Sequence, residues 1–141
     1  MSRAHSTYLG IDYGERRIGV AKSDPTGLIA SPVTTLEVRS RADAIQQIMV
    51  LVREFEPDGL VVGYPVHDSG EKSDKCDEVD AFIARLAEQY RGPIHRMDES
   101  FSSQEAADII HAHGKRVGRK KVRLDRLAAV VILQRFLDEQ G

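Results

Sequence analysis

Asp12 in G-I-D-Y-G-E-R-R-I-G-V-A, Glu99 in M-D-E-S-F-S-S and Asp125 in V-R-L-D-R-L-A-A-V are the residues that point most directly to chemistry. Asp12 closes the first strand-like run, Glu99 follows the last one, and Asp125 opens the final helix. Carboxylates so far apart in sequence converge only where the fold brings those ends together. Once converged, they make the set of hard oxygen ligands that Mg²⁺ or Mn²⁺ requires, above all when substrate phosphates complete the shell. Each acid also has a plainer use. Asp12 before Gly14 suits an Asx turn, and Asp125 suits the first turn of a helix. Of the neighbours Asp98 and Glu99, only one can enter a site from extended backbone. None of these uses requires the three acids to share an edge of the fold.

Positive charge is concentrated near the last of them. The net charge of −2 argues weakly against a general nucleic-acid coat protein, but the charges are unevenly spread. Between Asp68 and Asp80 six acids face two lysines, whereas the stretch 115–123 holds Lys115, Arg116, Arg119, Lys120, Lys121 and Arg123 with no acid. Such a run is either a solvated loop or a contact for a phosphate backbone, and its position just before Asp125 keeps the second reading open. Arg16 and Arg17 add two cations beside Asp12.

The elements that must position these groups follow from periodicity. Residues 7–12 and 17–23 read as strands joined by Tyr13, Gly14, Glu15 and Arg16, with glycine supplying the turn. Residues 30–37 form a third candidate, and Pro32 places it at an edge. Ser40 with Asp43 resembles a capping box, and Ile45, Ile48, Met49, Val52 and Phe55 recur at helical spacing. The run G-L-V-V-G at 59–63 marks a strand buried on both faces. Cys76, Val79, Phe82, Ile83, Leu86 and Tyr90 form a second helical stripe that ends at Gly92-Pro93, and Cys76 is better read as part of it than as a nucleophile. Residues 94–97 give a last short strand. Ser102 and Glu105 cap a helix that runs to about His113, and residues 124–137 form a helix apolar nearly all round.

The order is β-β-β-α-β-α-β-α-α. Right-handed crossovers and short connections predict a five-stranded mixed α/β sheet of order 3-2-1-4-5, strand 2 antiparallel, flanked by helices. Winding reverses between strands 1 and 4, and ligands of open α/β sheets bind outside the carboxyl ends at such a point. Asp12, the glycine-bounded segment 64–70 and Glu99 all fall on that edge, and Asp125 can reach it from the start of the closing helix. His67 and Asp68 within that segment read as a surface histidine and a helix N-terminal acid.

With 141 residues, one continuous core is expected, a single domain over residues 1–141. The lone cysteine cannot form an intramolecular disulfide, and neither a signal-peptide core nor a membrane-length apolar run is present, so a cytoplasmic protein without a membrane partner is expected.

Four stretches in order resemble the YqgF family of RNase H-like proteins, described as Holliday-junction-resolvase-like or as pre-16S rRNA nucleases. They are G-I-D-Y-G-E-R-R-I-G-V-A-K-S-D, V-V-G-Y-P with Gly70 behind it, D-E-S-F-S-S-Q-E-A, and D-R-L-A-A-V-V-I-L-Q-R-F-L-D. The resemblance spans nearly the whole chain. It implies an RNase H-like fold and metal-dependent nuclease chemistry, with Asp12, Glu99 and Asp125 as catalytic residues and metal ligands. It also implies a role in trimming the 5′ end of the 16S rRNA precursor during ribosome biogenesis. On this reading Asp12 bridges two divalent ions, Glu99 and Asp125 each complete one shell, and water attacks the phosphodiester in line. Arg16 or Arg17 and the 115–123 run hold the backbone of the precursor RNA.

Two departures from the family pattern bear on function. Tyr64 and His67 stand where G-L-P-L-N has Leu and Asn, which affects substrate fit. Ser100 replaces the Arg of D-E-R-x-T, which removes a phosphate contact. A DNA junction resolvase and a catalytically weak RNA-binding assembly or transcription-associated protein are the alternatives. The first takes branched DNA and needs a symmetric dimer, whereas the expected state is a monomer or weak homodimer. The strand-D-x-G-hairpin also resembles the phosphate-binding domains of sugar kinases and actin-like ATPases, which need a second domain that this length leaves no room for.

Overall fold

The structure, a computed structural model, describes residues 6–64, 75–98 and 124–140. Within them five strands, β1 (Tyr8–Asp12), β2 (Arg17–Ser23), β3 (Ala30–Glu37), β4 (Gly59–Tyr64) and β5 (Ile94–Asp98), form one sheet of order β3-β2-β1-β4-β5. The helices are α1 (Arg41–Phe55), α2 (Lys75–Ala87) and α3 (Leu124–Gln140). β2 runs antiparallel to β1 and β3, while β1, β4 and β5 are mutually parallel, as expected from the order of elements. The helix expected over 102–113 lies outside the described residues. Among the described residues no helix is long and apolar enough to cross a membrane.

Local chemistry explains the turns. A side chain at Gly14 would place its Cβ 2.6 Å from the Arg17 carbonyl oxygen, so the β1–β2 turn has room only for glycine. The β2–β3 turn is tied by Asp24, which accepts from the amides of Leu28 at 2.9 Å and Ile29 at 3.0 Å and from the Thr26 hydroxyl. β3 is the edge strand that Pro32 requires. Val20 pairs with Thr34 but Ala21 pairs with Pro32, leaving Val33 without a counterpart at a bulge. At the start of α1 the Ser40 hydroxyl accepts from Asp43 N at 3.1 Å, and the Asp43 carboxylate reaches back to Arg39 N at 2.9 Å. This is a capping box whose return bond lands one residue before the N-cap.

Alternation along β1 splits the core in two. Leu9, Ile11 and Tyr13 face α1 and α2, together with Ile18, Val20, Leu60 and Val62 from the neighbouring strands. Tyr13 stacks on Phe82 of α2 with ring centroids 4.4 Å apart. Full burial of side chains of this size contributes roughly 1.5–3 kcal/mol each. On the other face Ala21, Val61 and Met97 meet α3. Ala129, Val130, Val131, Ile132 and Leu133 are consecutive and all buried, which fits a helix enclosed nearly all round. Cys76 is fully buried on α2, in its expected place in the helical stripe.

Candidate active site

The parallel ladders set which strand ends meet. Ile11 pairs with Val62, Gly63 with Met97 and Tyr64 with Asp98, so Asp12 and the ends of β4 and β5 share one edge of the sheet. Gly10 and Asp12 occupy the same face of β1, the face covered by α3. Asp12 is half-buried there, and its partner across the β1–β2 ladder is Gly19. No side chain from β2 therefore crowds the Asp12 position on that ladder.

The helix α3 is registered against β1 by two close approaches. At one end the Tyr8 and Phe136 rings meet edge-on with centroids 4.9 Å apart. Two residues further along the strand, a Cβ on Gly10 would lie 2.7 Å from Leu133 Cβ and 3.0 Å from the Ala129 carbonyl oxygen. As β1 advances toward Asp12, α3 therefore runs back toward its own first turn. Two strand residues advance about 6.6 Å and one helical turn about 5.4 Å. The step from Gly10 to Asp12 thus corresponds to little more than one helical turn, so α3 runs from Ala129 back toward the Asp12 end of β1. The Asp125 side chain lies outside the described residues.

Glu99, one residue beyond the last residue of β5, lies outside the described residues, as do Ser100, His67, Asp68 and the 115–123 run with Lys115, Arg116, Arg119, Lys120, Lys121 and Arg123. Its neighbour Asp98 is exposed. Met97 packs in the α3-side core, so alternation puts Asp98 on the opposite face, with Arg96. Arg96 pairs at 3.4 Å with Asp80 of α2. Asp98 and Asp12 therefore stand on opposite faces of the sheet.

Arg16 lies in the β1–β2 turn and Arg17 opens β2, both exposed. With Glu15, Glu37, Val38 and Arg39 they line an open groove of about 720 Å³.

Two clusters near this edge escape a reading of local sequence. The Tyr64 hydroxyl donates to Asp80 Oδ2 at 3.0 Å, and Arg96 lies 5.7 Å from the Tyr64 ring centre. Burial, then the bonds to the Asp80 carboxylate and to Cys76, push the Tyr64 hydroxyl up to about 12. β4, α2 and β5 are tied together here by residues that no motif links. Glu78 at the start of α2 is held above the usual carboxylate range, first by a hydrogen bond with Glu15 of the β1–β2 turn, then by burial and by the Glu15 charge.

The donor chemistry suits a divalent cation. Asp12 offers a hard carboxylate, the end of β5 lies along the same edge, and α3 runs back toward that end of β1. Among the described residues themselves no three His, Cys, Asp or Glu side chains cluster, because Asp12 is the one member of the expected trio whose side chain is among them.

The sheet order with helices on both faces defines an RNase H-like fold of the resolvase type. T. thermophilus RuvC in complex with Holliday junction substrate matches it with a TM-score of 0.59 at 14% identity, over 97% of each chain. The Fowlpox virus resolvase, also in complex with Holliday junction DNA, gives 0.59 at 10% identity, over 95% of this chain and 98% of that one. The family model "RuvX: Holliday junction resolvase" matches residues 6–139. A Synechocystis sp. protein is 42% identical over 130 residues, 92% of this chain and 86% of its own. A Syntrophus aciditrophicus protein is 38% identical over 130 residues (92% and 87%), and a Roseiflexus sp. protein 36% over 140 residues (99% of each). All three carry the name "Putative pre-16S rRNA nuclease". The chain belongs to the RuvX, or YqgF, family.

Proposed function

We propose that this protein is a metal-dependent nuclease that hydrolyses RNA phosphodiester bonds in the cytoplasm, at the 5′ end of the 16S rRNA precursor. The observation that carries the reading is the antiparallel seating of α3 on β1, which brings the start of α3 to the strand end that bears Asp12. The names of the relatives support the choice of precursor rRNA.

Asp12, Glu99 and Asp125 would hold Mg²⁺ or Mn²⁺. When bound, such an ion supplies a nucleophilic hydroxide near neutral pH and stabilises charge on the phosphoryl and leaving oxygens. The chain's own residues orient the substrate. Gly19 beside Asp12 leaves the strand surface open to the phosphodiester. Arg16, Arg17 and the 115–123 run neutralise flanking phosphates, giving salt-sensitive and largely sequence-independent grip.

The description of the family model favours one other substrate, a four-way DNA junction. Labelled precursor 16S rRNA and a labelled four-way junction, each incubated with Mg²⁺, Mn²⁺ or chelator, separate the two. The reading expects metal-dependent cleavage of the RNA. Cutting confined to the junction supports the resolvase, and binding of RNA without any metal-dependent cleavage supports an assembly factor.

A further inference from the structure

We propose that the groove between the β1–β2 turn and the end of β3 is a second phosphate subsite, in which Arg39 joins Arg16 and Arg17 to hold the RNA strand at a phosphate other than the one cut at Asp12. The inference rests on the nuclease reading for its substrate and on the groove for its location. Arg17 pairs with Glu37 across the β2–β3 ladder, and Val38 N donates to the Arg16 carbonyl at 2.8 Å. Those two links clamp the end of β3 to the turn, so Arg39 emerges directly beside Arg16. All three arginines are exposed and line the same open groove of about 720 Å³.

Charge and shape favour a phosphate over a base or an apolar ligand. Among the described lining residues three guanidinium groups face two carboxylates, Glu15 and Glu37. Val38 is the one apolar side chain among the described lining residues, and none is aromatic. A guanidinium presents paired donors that match two phosphate oxygens at once, and it stays charged at any working pH. Arg39 is also held at its root, because its backbone amide donates to Asp43 in the α1 cap at 2.9 Å. The side chain is then free to swing over the groove while the backbone is fixed.

Spacing sets the subsite apart from Asp12. Asp12 pairs with Gly19 and Gly19 with Thr35, so the end of β3 at Glu37 lies two strand spacings across from Asp12, about 10 Å, and two residues, about 6.6 Å, further along. A phosphate in the groove is therefore not the one beside Asp12, and RNA too short to reach both positions cannot use Arg39.

The test is binding of a labelled 12-nucleotide RNA in chelator, which needs no cleavage, measured across a range of salt. Arg39→Gln should weaken binding about five- to tenfold at low salt and make the salt dependence shallower by about 0.7 per lost contact, the value for single strands. Arg39→Lys, which keeps the charge, should restore the slope. Wild-type affinity and slope in folded Arg39→Gln protein would overturn the proposal, as would a slope that Arg39→Lys leaves as shallow as Arg39→Gln does. The two readings fail separately. If wild-type protein cuts no RNA yet Arg39→Gln still flattens the slope, the nuclease reading falls and the subsite stands. If RNA is cut but the slope is unmoved, the subsite falls alone.

Discussion

Gly10 of β1 and Leu133 of α3 approach so closely that a Cβ on Gly10 would lie 2.7 Å from Leu133 Cβ. The Ala129 carbonyl oxygen stands 3.0 Å from the same point, so backbone as well as side chain blocks a methyl group. This contact sets the height of α3 above the sheet and hence the position of its first turn relative to Asp12. Gly10→Ala should force the helix outward, destabilise the protein by about 1–3 kcal/mol, and reduce cleavage in the fraction that remains folded. Denaturant unfolding and a cleavage assay on the same preparation check both parts. Unchanged stability with full activity would show that the helix seat does not set the site.

Asp98 and Glu99 are adjacent, and Asp98 stands on the face of the sheet away from Asp12. The proposed site takes its carboxylate from Glu99 and not from Asp98, as the alternation of extended backbone leads one to expect. Glu99→Gln should lose most metal-dependent activity, while Asp98→Asn should remain close to wild type. Reversal of the two phenotypes in single-turnover cleavage would remove Glu99 from the site.

Neutralising Lys120, Lys121 and Arg123 should weaken RNA binding alike for unrelated sequences. Each lost phosphate contact makes the logarithmic salt dependence shallower by about 0.7 for a single strand or 0.9 for a duplex. Filter binding at several salt concentrations measures the slope. A slope equal to that of wild type would make the run a solvated loop.

The β2–β3 turn should be acid-sensitive through Asp24. The Thr26 hydroxyl bond, followed by the Ile29 amide bond, lowers its carboxyl from 3.8 to about 2 in the folded chain. A carboxylate with a depressed folded value stabilises the native state above its unfolded value and loses that contribution as pH falls through the folded one. The stabilisation from Asp24 is therefore whole above pH 3.8 and disappears toward pH 2. Asp24→Asn keeps an acceptor for the Leu28 and Ile29 amides but cannot titrate, so its stability should fall less steeply across that window. Parallel acid-unfolding curves for the two proteins would contradict this role.

The order of the sheet was legible because each rule it needed was local or topological. Pro32 placed β3 at the edge, the unbroken apolar run at 59–63 marked a central strand, and crossover handedness put β4 beside β1. The ends of elements were less legible. β5 continues through Asp98 because Asp98 finds a ladder partner in Tyr64, and α3 continues to Gln140, three residues past the last apolar position of its pattern. Asp12 could be read as a strand-end acid, but its face relative to Asp98 needed the packing of Gly10 and Met97 against α3. The bond from Tyr64 to Asp80, the bond between Glu15 and Glu78, and the meeting of Arg39 with Arg16 join separate elements. No periodicity or motif encodes such pairs; they exist because the sheet closes.

The central claim is that Asp12 holds the metal that cleavage requires, and Asp12→Asn tests it most directly. The change is nearly isosteric at a half-buried position, so far-ultraviolet circular dichroism and the thermal midpoint should match wild type. Cleavage of 5′-labelled precursor 16S rRNA in saturating Mg²⁺ should fall on the order of a hundredfold or more, with weaker Mn²⁺ binding measured separately by calorimetry. Folded Asp12→Asn protein that cuts at the wild-type rate would contradict the account.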